Sequence, residues 1–284
     1  MTTSTRTHGR VAGAVHREDA PSRAFLKGVR AARLPDGPPQ EAAVTEADLA
    51  PLPPAVRRYL RHMGAVGRPP DWSFRAHLTG RFRRRPGDPW MACDAWQYNT
   101  RLDVARLFRM RLRVGPVPMT GWDTYLHGHG RMRGRLAGVI PVVDGNGGPF
   151  DVGELVTYLN DAVLLAPSML LGPHTTWASV DDDAGAFDVT LSDAGNQVTA
   201  RVFLDGDGAP CHFATTDRFA DLPGGLIRAR WSTPVAGWRV VDGRRLPTAA
   251  AAVWQLPNGP FSYAEFEVPA GAVVFNVPPG RAAK

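Results

Sequence analysis

Four residues of this chain carry groups that move protons in enzymes and lie close to apolar sequence. His127 and His129 belong to the segment TGWDTYLHGHG, and Tyr125 lies two residues before the first histidine. Asp161 lies within the apolar stretch DVGELVTYLNDAVLLAP. Imidazole, phenol and carboxyl groups are common general acids and bases. The sequence therefore suggests Asp161, His129, His127 and Tyr125 as candidate catalytic residues.

The His-Gly-His pair has three interpretations. On a β-strand, both rings would lie on one face beside Tyr125 and Arg131. A metal site needs a third ligand, and the local sequence offers only Asp123. The alternatives are an acid–base pair in a pocket, or histidines that face solvent or are satisfied in the core. The last interpretation is favoured, and we predict neither a metal site nor a cofactor.

Asp161 is the sharper candidate, because a carboxyl group inside an apolar helix must be paired, exposed or kept neutral by burial. A neutral carboxyl with a raised pKa is the form that general acid catalysis uses. The alternative is a structural ion pair with Arg218 or Arg228, and the sequence favours it slightly.

Aromatic residues recur in strand-like segments and could form the wall of a cavity for an apolar ligand. Large aromatic side chains more often fill a core, and this alternative stays open. The residues predicted to bind a ligand are Trp96, Tyr98, Trp122, Tyr158, Asn160, Trp231 and Trp254.

The elements that must position these residues follow from hydrophobic periodicity. Residues 72–84 alternate between apolar and polar, as a half-buried strand does, and several short strands separated by Gly, Asp and Asn turns follow residue 174. Residues 153–171 contain the one long helical pattern, and 55–64 a short amphipathic one. The absence of strand–helix–strand alternation argues against a Rossmann fold. We predict a mainly β (α+β) antiparallel structure.

Composition and charge limit the possible partners. The 284 residues carry a net charge of +6, and residues 1–40 hold seven basic and three acidic residues. We predict that residues 1–44 form a disordered leader and that 45–284 form a single domain. The near-neutral remainder argues against a nucleic-acid partner.

The same sequence argues against membrane insertion and export. The stretch 152–171 contains acidic residues and a proline, so it is a poor bilayer span. The first residues lack the apolar region of a secretory signal, and the two cysteines do not form a CxxC motif. We expect a cytoplasmic protein.

Several segments together resemble a bacterial family of unknown function that is common in GC-rich soil bacteria. They are LPPAVRRYLRH (52–62), WMACDAWQYN (90–99), WDTYLHGHGRMRGRL (122–136), GELVTYLNDAVLLAPSMLL (153–171), TTWASVDDDAGAFDVTLSD (175–193), CHFATTDRF (211–219) and GWRVVDGRRLPTAAAAVWQ (237–255). The resemblance implies a curved antiparallel sheet, an unclosed β-barrel like that of outer-membrane lipoprotein carriers, with the helix near 153–171 across its concave face. In that family the helix reads Asn-Glu where this chain has Asn160-Asp161, and the equivalents of His127 and His129 are usually not both histidine.

Three functions are compatible with these patterns. The first is a cofactor-independent enzyme that acts on an apolar small molecule by acid–base chemistry, as a cyclase, isomerase or lyase. The second is a carrier or sensor that binds a lipid-like ligand without chemistry, and the third is a structural partner protein. The sequence favours the enzyme narrowly over the carrier and leaves the oligomeric state open.

Overall fold

The computed structural model describes residues 20–38, 40–181, 185–222 and 225–279. The helices are α1 (Arg23–Ala31), α2 (Glu46–Leu49), α3 (Pro54–His62) and α4 (Gly148–Leu165), and a 3₁₀ turn follows at Pro167–Leu170. The strands are β1 (Ser73–Phe82), β2 (Met91–Thr100), β3 (Ala105–Val114), β4 (Val117–Leu126), β5 (His129–Leu136), β6 (Ile140–Asn146), β7 (Thr175–Asp181), β8 (Ala186–Asp193), β9 (Asn196–Leu204), β10 (Pro210–Thr215), β11 (Phe219–Leu222), β12 (Gly225–Arg228), β13 (Arg230–Val241), β14 (Arg244–Leu256), β15 (Gly259–Glu267) and β16 (Val273–Phe275).

Fourteen strands form one antiparallel sheet that does not close. The strand order is β6-β5-β4-β3-β2-β1-β15-β14-β13-β10-β9-β8-β7, and β16 also pairs with β1. Strands β6 and β7 are the two edges, and α4 connects them in sequence. The predicted antiparallel, unclosed sheet with one long helix against it is therefore confirmed. We call the face that carries α4 the inner face.

Helix α4 is apolar on nearly every side, as expected of a helix enclosed by protein. Pro149 lies in its first turn, where its missing N–H costs nothing. The helix ends before Pro167, whose ring cannot continue it. The hydroxyl of Tyr59 on α3 donates to the carbonyl of Val163 on α4 at 2.7 Å. This hydrogen bond fixes α3 against α4.

Helix α1 lies within the stretch predicted to be a disordered leader. Ser22 caps it by accepting from the backbone N–H of Phe25, and both Phe25 and Val29 are buried. They pack on the outer face of the sheet, on a cluster that includes Trp96 and Leu107. The predicted disorder is corrected for this helix, while residues 1–19 lie outside the described residues. The pattern was missed because only two residues of the helix, Phe25 and Val29, are buried, within a segment rich in Arg and Ala.

Because α1 and α4 cover opposite faces, strand β2 is buried on both sides. Residues 93–100 are all buried, although the strand includes polar side chains. Trp96 and Tyr98 face α1, whereas Gln97 and Asn99 face α4. Among the residues that the structure describes, each helix is too short or too polar to span a bilayer.

Candidate functional site

A cavity of about 130 Å³ lies between α4 and the inner face of the sheet. Most of its walls are apolar, and strands β1, β3, β13, β14 and β15 contribute to them. Charged and amide groups interrupt the apolar surface. The polar side chains that line it are Gln97, Arg106, Asp123, Thr157, Asn160, Asp161, Arg218, Thr233 and Tyr263.

Arg106 joins strand β3 to two carboxylates of helix α4. Its Nε donates to Oδ2 of Asp161 at 2.7 Å, and its Nη1 donates to Oε2 of Glu154 at 3.0 Å. The two acids are seven residues apart, which is about two helical turns and places them on one face. All three side chains are nearly enclosed. The ion-pair interpretation of Asp161 thus holds, but with a different arginine from the two predicted.

Two amides on β2 complete the surroundings of Asp161. Nε2 of Gln97 donates to Oδ2 of Asp161 at 2.7 Å and to Oδ1 of Asn99 at 3.0 Å, while Nδ2 of Asn99 lies 3.4 Å from the same carboxylate oxygen. Hydrogen bonds from neutral and charged donors favour the ionised carboxylate. Arg228 instead pairs with Asp217 at the protein surface.

The enclosed carboxyl groups have shifted acidities. Burial raises the pKa of Asp161, and the Arg106 charge opposes that shift. Burial, together with the charge of Asp123, raises the pKa of Glu154 from 4.5 to about 7. Burial also raises the pKa of Asp123, against the charges of Arg106 and Arg218. Burial lowers the pKa of Arg106, but its acidic neighbours outweigh that effect and keep it cationic.

Three buried polar atoms on the cavity wall have no hydrogen-bond partner among the described residues. They are Oδ1 of Asp123, Nδ2 of Asn160 and Oγ1 of Thr233. Buried polar groups normally have partners, and leaving one unsatisfied costs on the order of 1–3 kcal/mol. These atoms can therefore hydrogen-bond a molecule that enters the cavity.

Arg218 lies against two tryptophans at the edge of the cavity. Its guanidinium carbon is 4.3 Å from the ring centroid of Trp231 and 5.7 Å from that of Trp254. Its Nη1 lies 3.4 Å from the hydroxyl of Tyr263, which also accepts from Nε1 of Trp231 at 3.1 Å. Cation–π contacts of this kind hold an arginine in place without neutralising its charge.

A second cavity of about 150 Å³ adjoins the first and shares Arg218 and Tyr263 with it. Glu154 also lines the second cavity, so the side chain that pairs with Arg106 lies near both spaces. The hairpin of β11 and β12 borders the second cavity through Phe219 and Leu222. The two spaces are therefore neighbours separated by charged and aromatic side chains.

The structure places only one of the four candidate catalytic residues, Asp161, on the cavity wall. His127 has a φ of 53° in the turn between β4 and β5, so the two histidines do not share a strand face. Both are exposed, and Nδ1 of His129 lies 3.9 Å from Asp151. The hydroxyl of Tyr125 donates to Oδ2 of Asp193 at 2.8 Å, away from the cavity. Within the described residues, no group of three or more His, Cys, Asp or Glu side chains is arranged to hold a metal ion.

The seven predicted ligand-binding residues separate into groups. Asn160 and Trp231 line the first cavity, and Trp254 lines the second. Tyr158 lies on α4 and is buried in the core. The remaining three, Trp96, Tyr98 and Trp122, lie on the outer face under α1.

Arg106 and Glu154 are the site residues that the sequence analysis missed. Arg106 is the single charged residue in the alternating set that continues with Phe108, Met110 and Leu112, and this was a readable signal. Glu154 precedes Asp161 by two helical turns within an apolar stretch. Both signals indicate a charge that faces the interior.

Three solved structures resemble this fold at low sequence identity. A domain from Vibrio parahaemolyticus described as an outer membrane lipoprotein-sorting protein shares 11% identity over 72% of this chain and 85% of its own, with a TM-score of 0.41. A DUF1329 family protein from Desulfovibrio piger shares 9% identity over 82% and 94%, with a TM-score of 0.41. A LolA superfamily protein from Nitrosomonas europaea shares 12% identity over 74% and 90%, with a TM-score of 0.31.

Comparison with curated proteins gave no match. The model of a family of unknown function, DUF6544, matches residues 42–266, which include β1 to β14, helix α4 and every residue that lines the two cavities except Val268. This chain therefore belongs to the DUF6544 family.

Proposed function

We propose that the protein binds a small apolar molecule with one polar end in the cavity under α4 and acts as its carrier or sensor. One observation carries this proposal: a mainly apolar cavity whose wall holds three buried polar atoms without partners among the described residues. Small-molecule sites typically combine an apolar lining with a few polar groups that fix the ligand's orientation.

The volume of the cavity limits the apolar part of the ligand. A cavity of about 150 Å³ lined by aliphatic and aromatic side chains accepts benzene, and this one is of similar size. The first cavity therefore takes a single ring or a short chain. A longer ligand would have to continue into the adjoining cavity, past Arg218 and Tyr263.

The polar atoms limit the chemistry of the other end. Oδ1 of Asp123 is an acceptor when ionised, and Nδ2 of Asn160 is a donor. A hydroxyl or carboxyl group both donates and accepts, so it satisfies the two together. Arg218 adds a cation that favours an acceptor on the ligand.

A matched pair of substitutions on β14 tests the proposal. Ala252 lines the cavity, whereas Ala249 lines only a groove elsewhere on the sheet, and both are partly exposed. We expect Ala252→Phe to fill the cavity and lower the affinity for benzene, measured by isothermal titration calorimetry, by at least about tenfold, since even one lost methylene contact in an apolar site costs about that much. Ala249→Phe should retain the affinity. Equal affinities in the two variants would contradict binding in this cavity.

Native mass spectrometry of protein purified from its source would identify the bound molecule directly. We expect a co-purified small molecule that dissociates on unfolding and is missing from the Ala252→Phe variant. A co-purified molecule present equally in both variants would show that the cavity is not its site.

Acid–base catalysis is the second candidate, and the acidity of Glu154 favours it. A carboxyl group with a pKa of about 7 exchanges its proton near neutral pH, as a general acid must. Such a group beside an apolar ligand would support a cyclisation, isomerisation or elimination without a cofactor. Asp161 is less suited to this role, because its Oδ2 accepts from Arg106 and Gln97.

The ligand identified by mass spectrometry also tests catalysis. If the protein converts it, we expect Glu154→Gln to bind it and to slow conversion by about 10²–10⁴-fold, the usual contribution of a general acid. Glu265→Gln, which changes a carboxyl group at the surface, is the control. Recovery of the unchanged ligand after long incubation with the wild-type protein would contradict catalysis and support the function of a carrier or sensor.

A further inference from the structure

The outer face of the sheet beyond α1 is crowded with arginines. On β3, Phe108 and Met110 line the cavity, so the alternate positions face outward. On β5, Met132 lines the second cavity, and the same alternation applies. The outward arginines of the two strands are Arg109, Arg111, Arg113, Arg131, Arg133 and Arg135.

The strand register aligns these arginines into rows. Arg109 and Arg133 flank Trp122 on the strand between them, and Arg111 and Arg135 flank Thr120 in the same way. We call these residues, together with Arg113 and Arg131, the arginine rows. Arg109 and Arg111 are half-buried, and the other four arginines are exposed.

The exposed arginines of the rows are Arg113, Arg131, Arg133 and Arg135. In the described strands β3–β6, Asp144 is the one acidic residue on the outer face, and it pairs with Arg131 at 2.9 Å. Four exposed arginines against this aspartate leave a formal charge of +3; Arg111 is not counted, because Asp94 of β2 lies opposite it in the register. Helix α1 lies on the same face and adds the exposed side chains of Arg23, Lys27 and Arg30.

An exposed aliphatic tip borders the arginine rows. In the β5–β6 hairpin, Val139 is 70% exposed, Ile140 is 55% exposed and Val142 is 40% exposed. Arg135 on β5 lies opposite Pro141 on β6, next to Ile140 in sequence. Basic and aliphatic side chains are therefore neighbours at this end of the hairpin. The backbone N–H of Ala137 donates to the carbonyl of Pro118 at 2.8 Å and holds the hairpin against β4.

We propose that the arginine rows and the aliphatic tip dock the protein on an anionic lipid bilayer. Arginines gain from the negative surface potential, and aliphatic side chains gain by entering the region between headgroups and acyl chains. A nucleic acid would satisfy only the arginines. Trp122, the aromatic residue of the rows, packs against Gly28 of α1 and so is not free to stack on bases. The surface is separate from the ligand cavity, so the inference does not depend on the proposed function.

Co-sedimentation with lipid vesicles tests this docking. We expect the protein to sediment with vesicles of phosphatidylcholine and phosphatidylglycerol in equal amounts, and not with vesicles of phosphatidylcholine alone. Rising salt should weaken the binding, because it screens the arginine charges. Sedimentation with both kinds of vesicle, or with neither, would overturn the proposal.

Two variants separate this surface from non-specific charge. Replacing Arg113, Arg133 and Arg135 by Gln should weaken binding about 100-fold, since each basic side chain near an anionic surface strengthens it about fivefold. The control replaces three exposed arginines elsewhere, Arg85, Arg230 and Arg245, by Gln and has the same net charge. Equal losses in the two triple variants would contradict a specific docking face.

The aliphatic tip distinguishes a bilayer from a nucleic acid. We expect the double variant Val139→Ser and Ile140→Ser to weaken vesicle binding at least about tenfold, because each buried methylene contributes to insertion. Thermal melting of each variant verifies that it is folded. Vesicle binding that is insensitive to this double variant, together with equally tight binding of a short DNA duplex, would assign the surface to a nucleic acid instead.

Discussion

Nε of Arg106 lies 2.7 Å from Oδ2 of Asp161, and this contact joins the sheet to helix α4 inside the protein. The arginine side chain is 5% exposed and the aspartate side chain 14%. An ion pair removed from water gains little net stability, but loss of one partner leaves an uncompensated charge. The pair therefore fixes the position of the helix over the cavity more than it adds to the free energy of unfolding.

Asp161→Asn tests whether the pair is structural. Arg106 keeps Glu154 as a partner in this variant, so we expect a loss of about 3 kcal/mol, the lower end of the range for a broken buried pair. Urea denaturation measures the change. The control is Asp144→Asn, which breaks an exposed pair with Arg131 and should cost less than about 1 kcal/mol. Equal losses in the two variants would contradict a buried pair.

Glu154 makes stability depend on pH with a definite sign. Its pKa is about 7 in the folded protein against 4.5 ordinarily, so the folded state holds a proton that the unfolded state releases between these values. The resulting stabilisation is complete below pH 4.5 and is lost as the pH rises through 7, with a total of up to about 3 kcal/mol. We expect Glu154→Gln to remove this loss.

Urea denaturation of the wild type and Glu154→Gln at pH 5 and pH 7 measures the effect. The variant should gain about 2 kcal/mol relative to the wild type between the two pH values. Burial also raises the pKa of Asp123 and Asp161, and these groups contribute with the same sign in both proteins. Parallel pH profiles would show that Glu154 is ionised in the folded state.

Much of the fold follows from periodicity in the sequence. The alternation in β1 and the helical stripe that includes Leu155 and Leu159 predicted an antiparallel sheet with one long helix, and the structure has both. Such patterns report which face of an element is buried, and this information is local in sequence. Asp161 was also recognised locally, as an acid within an apolar helix.

The partners of Asp161 were not predictable in the same way. Arg106 meets it across 55 residues and Gln97 across 64, so their contact depends on the order of strands in the sheet. The placement of His127 and His129 on one strand face was wrong for a related reason, although both are exposed, in agreement with the interpretation that was favoured. That placement assumed a continuous strand, but His127 takes a positive φ in the turn that reverses the chain.

Helix α1 provides a test of how far order extends before Thr45. Phe25 is fully buried against the outer face, where its ring is stacked on Trp122 with centroids 6.3 Å apart. We expect Phe25→Ala to lower the free energy of unfolding by about 3–5 kcal/mol, as truncation of a buried phenylalanine does. Lys27→Ala on the exposed side of the same helix should change it by less than about 0.5 kcal/mol.

A truncated protein that begins at Thr45 extends this test to the whole helix. It exposes Trp96 and Leu107 to water, so we expect a lower melting temperature than that of the full chain. The same melting temperature for the truncated and full-length proteins would show that α1 does not stabilise the sheet, as the disordered leader first predicted from the sequence would require.

We predict that Arg218 selects the polar end of the ligand, because it lines both cavities. Its guanidinium lies between the two cavities, and no carboxylate of the described residues lies within salt-bridge distance of it. A ligand carboxylate there would gain a charge-assisted hydrogen bond that a hydroxyl would gain only in part. We therefore expect the protein to bind hexanoate more tightly than hexanol, as measured by isothermal titration calorimetry.

Arg218→Met keeps the length of the side chain beside Trp231 and removes its charge. It should weaken hexanoate at least about tenfold, the contribution of a hydrogen bond to a charged group, and weaken hexanol less. The control is Arg228→Met, which removes an exposed arginine paired with Asp217 and should leave both affinities unchanged. If Arg218→Met weakens the acid and the alcohol equally, the arginine supports the cavity wall and the polar end of the ligand binds elsewhere, at Asp123 or Asn160.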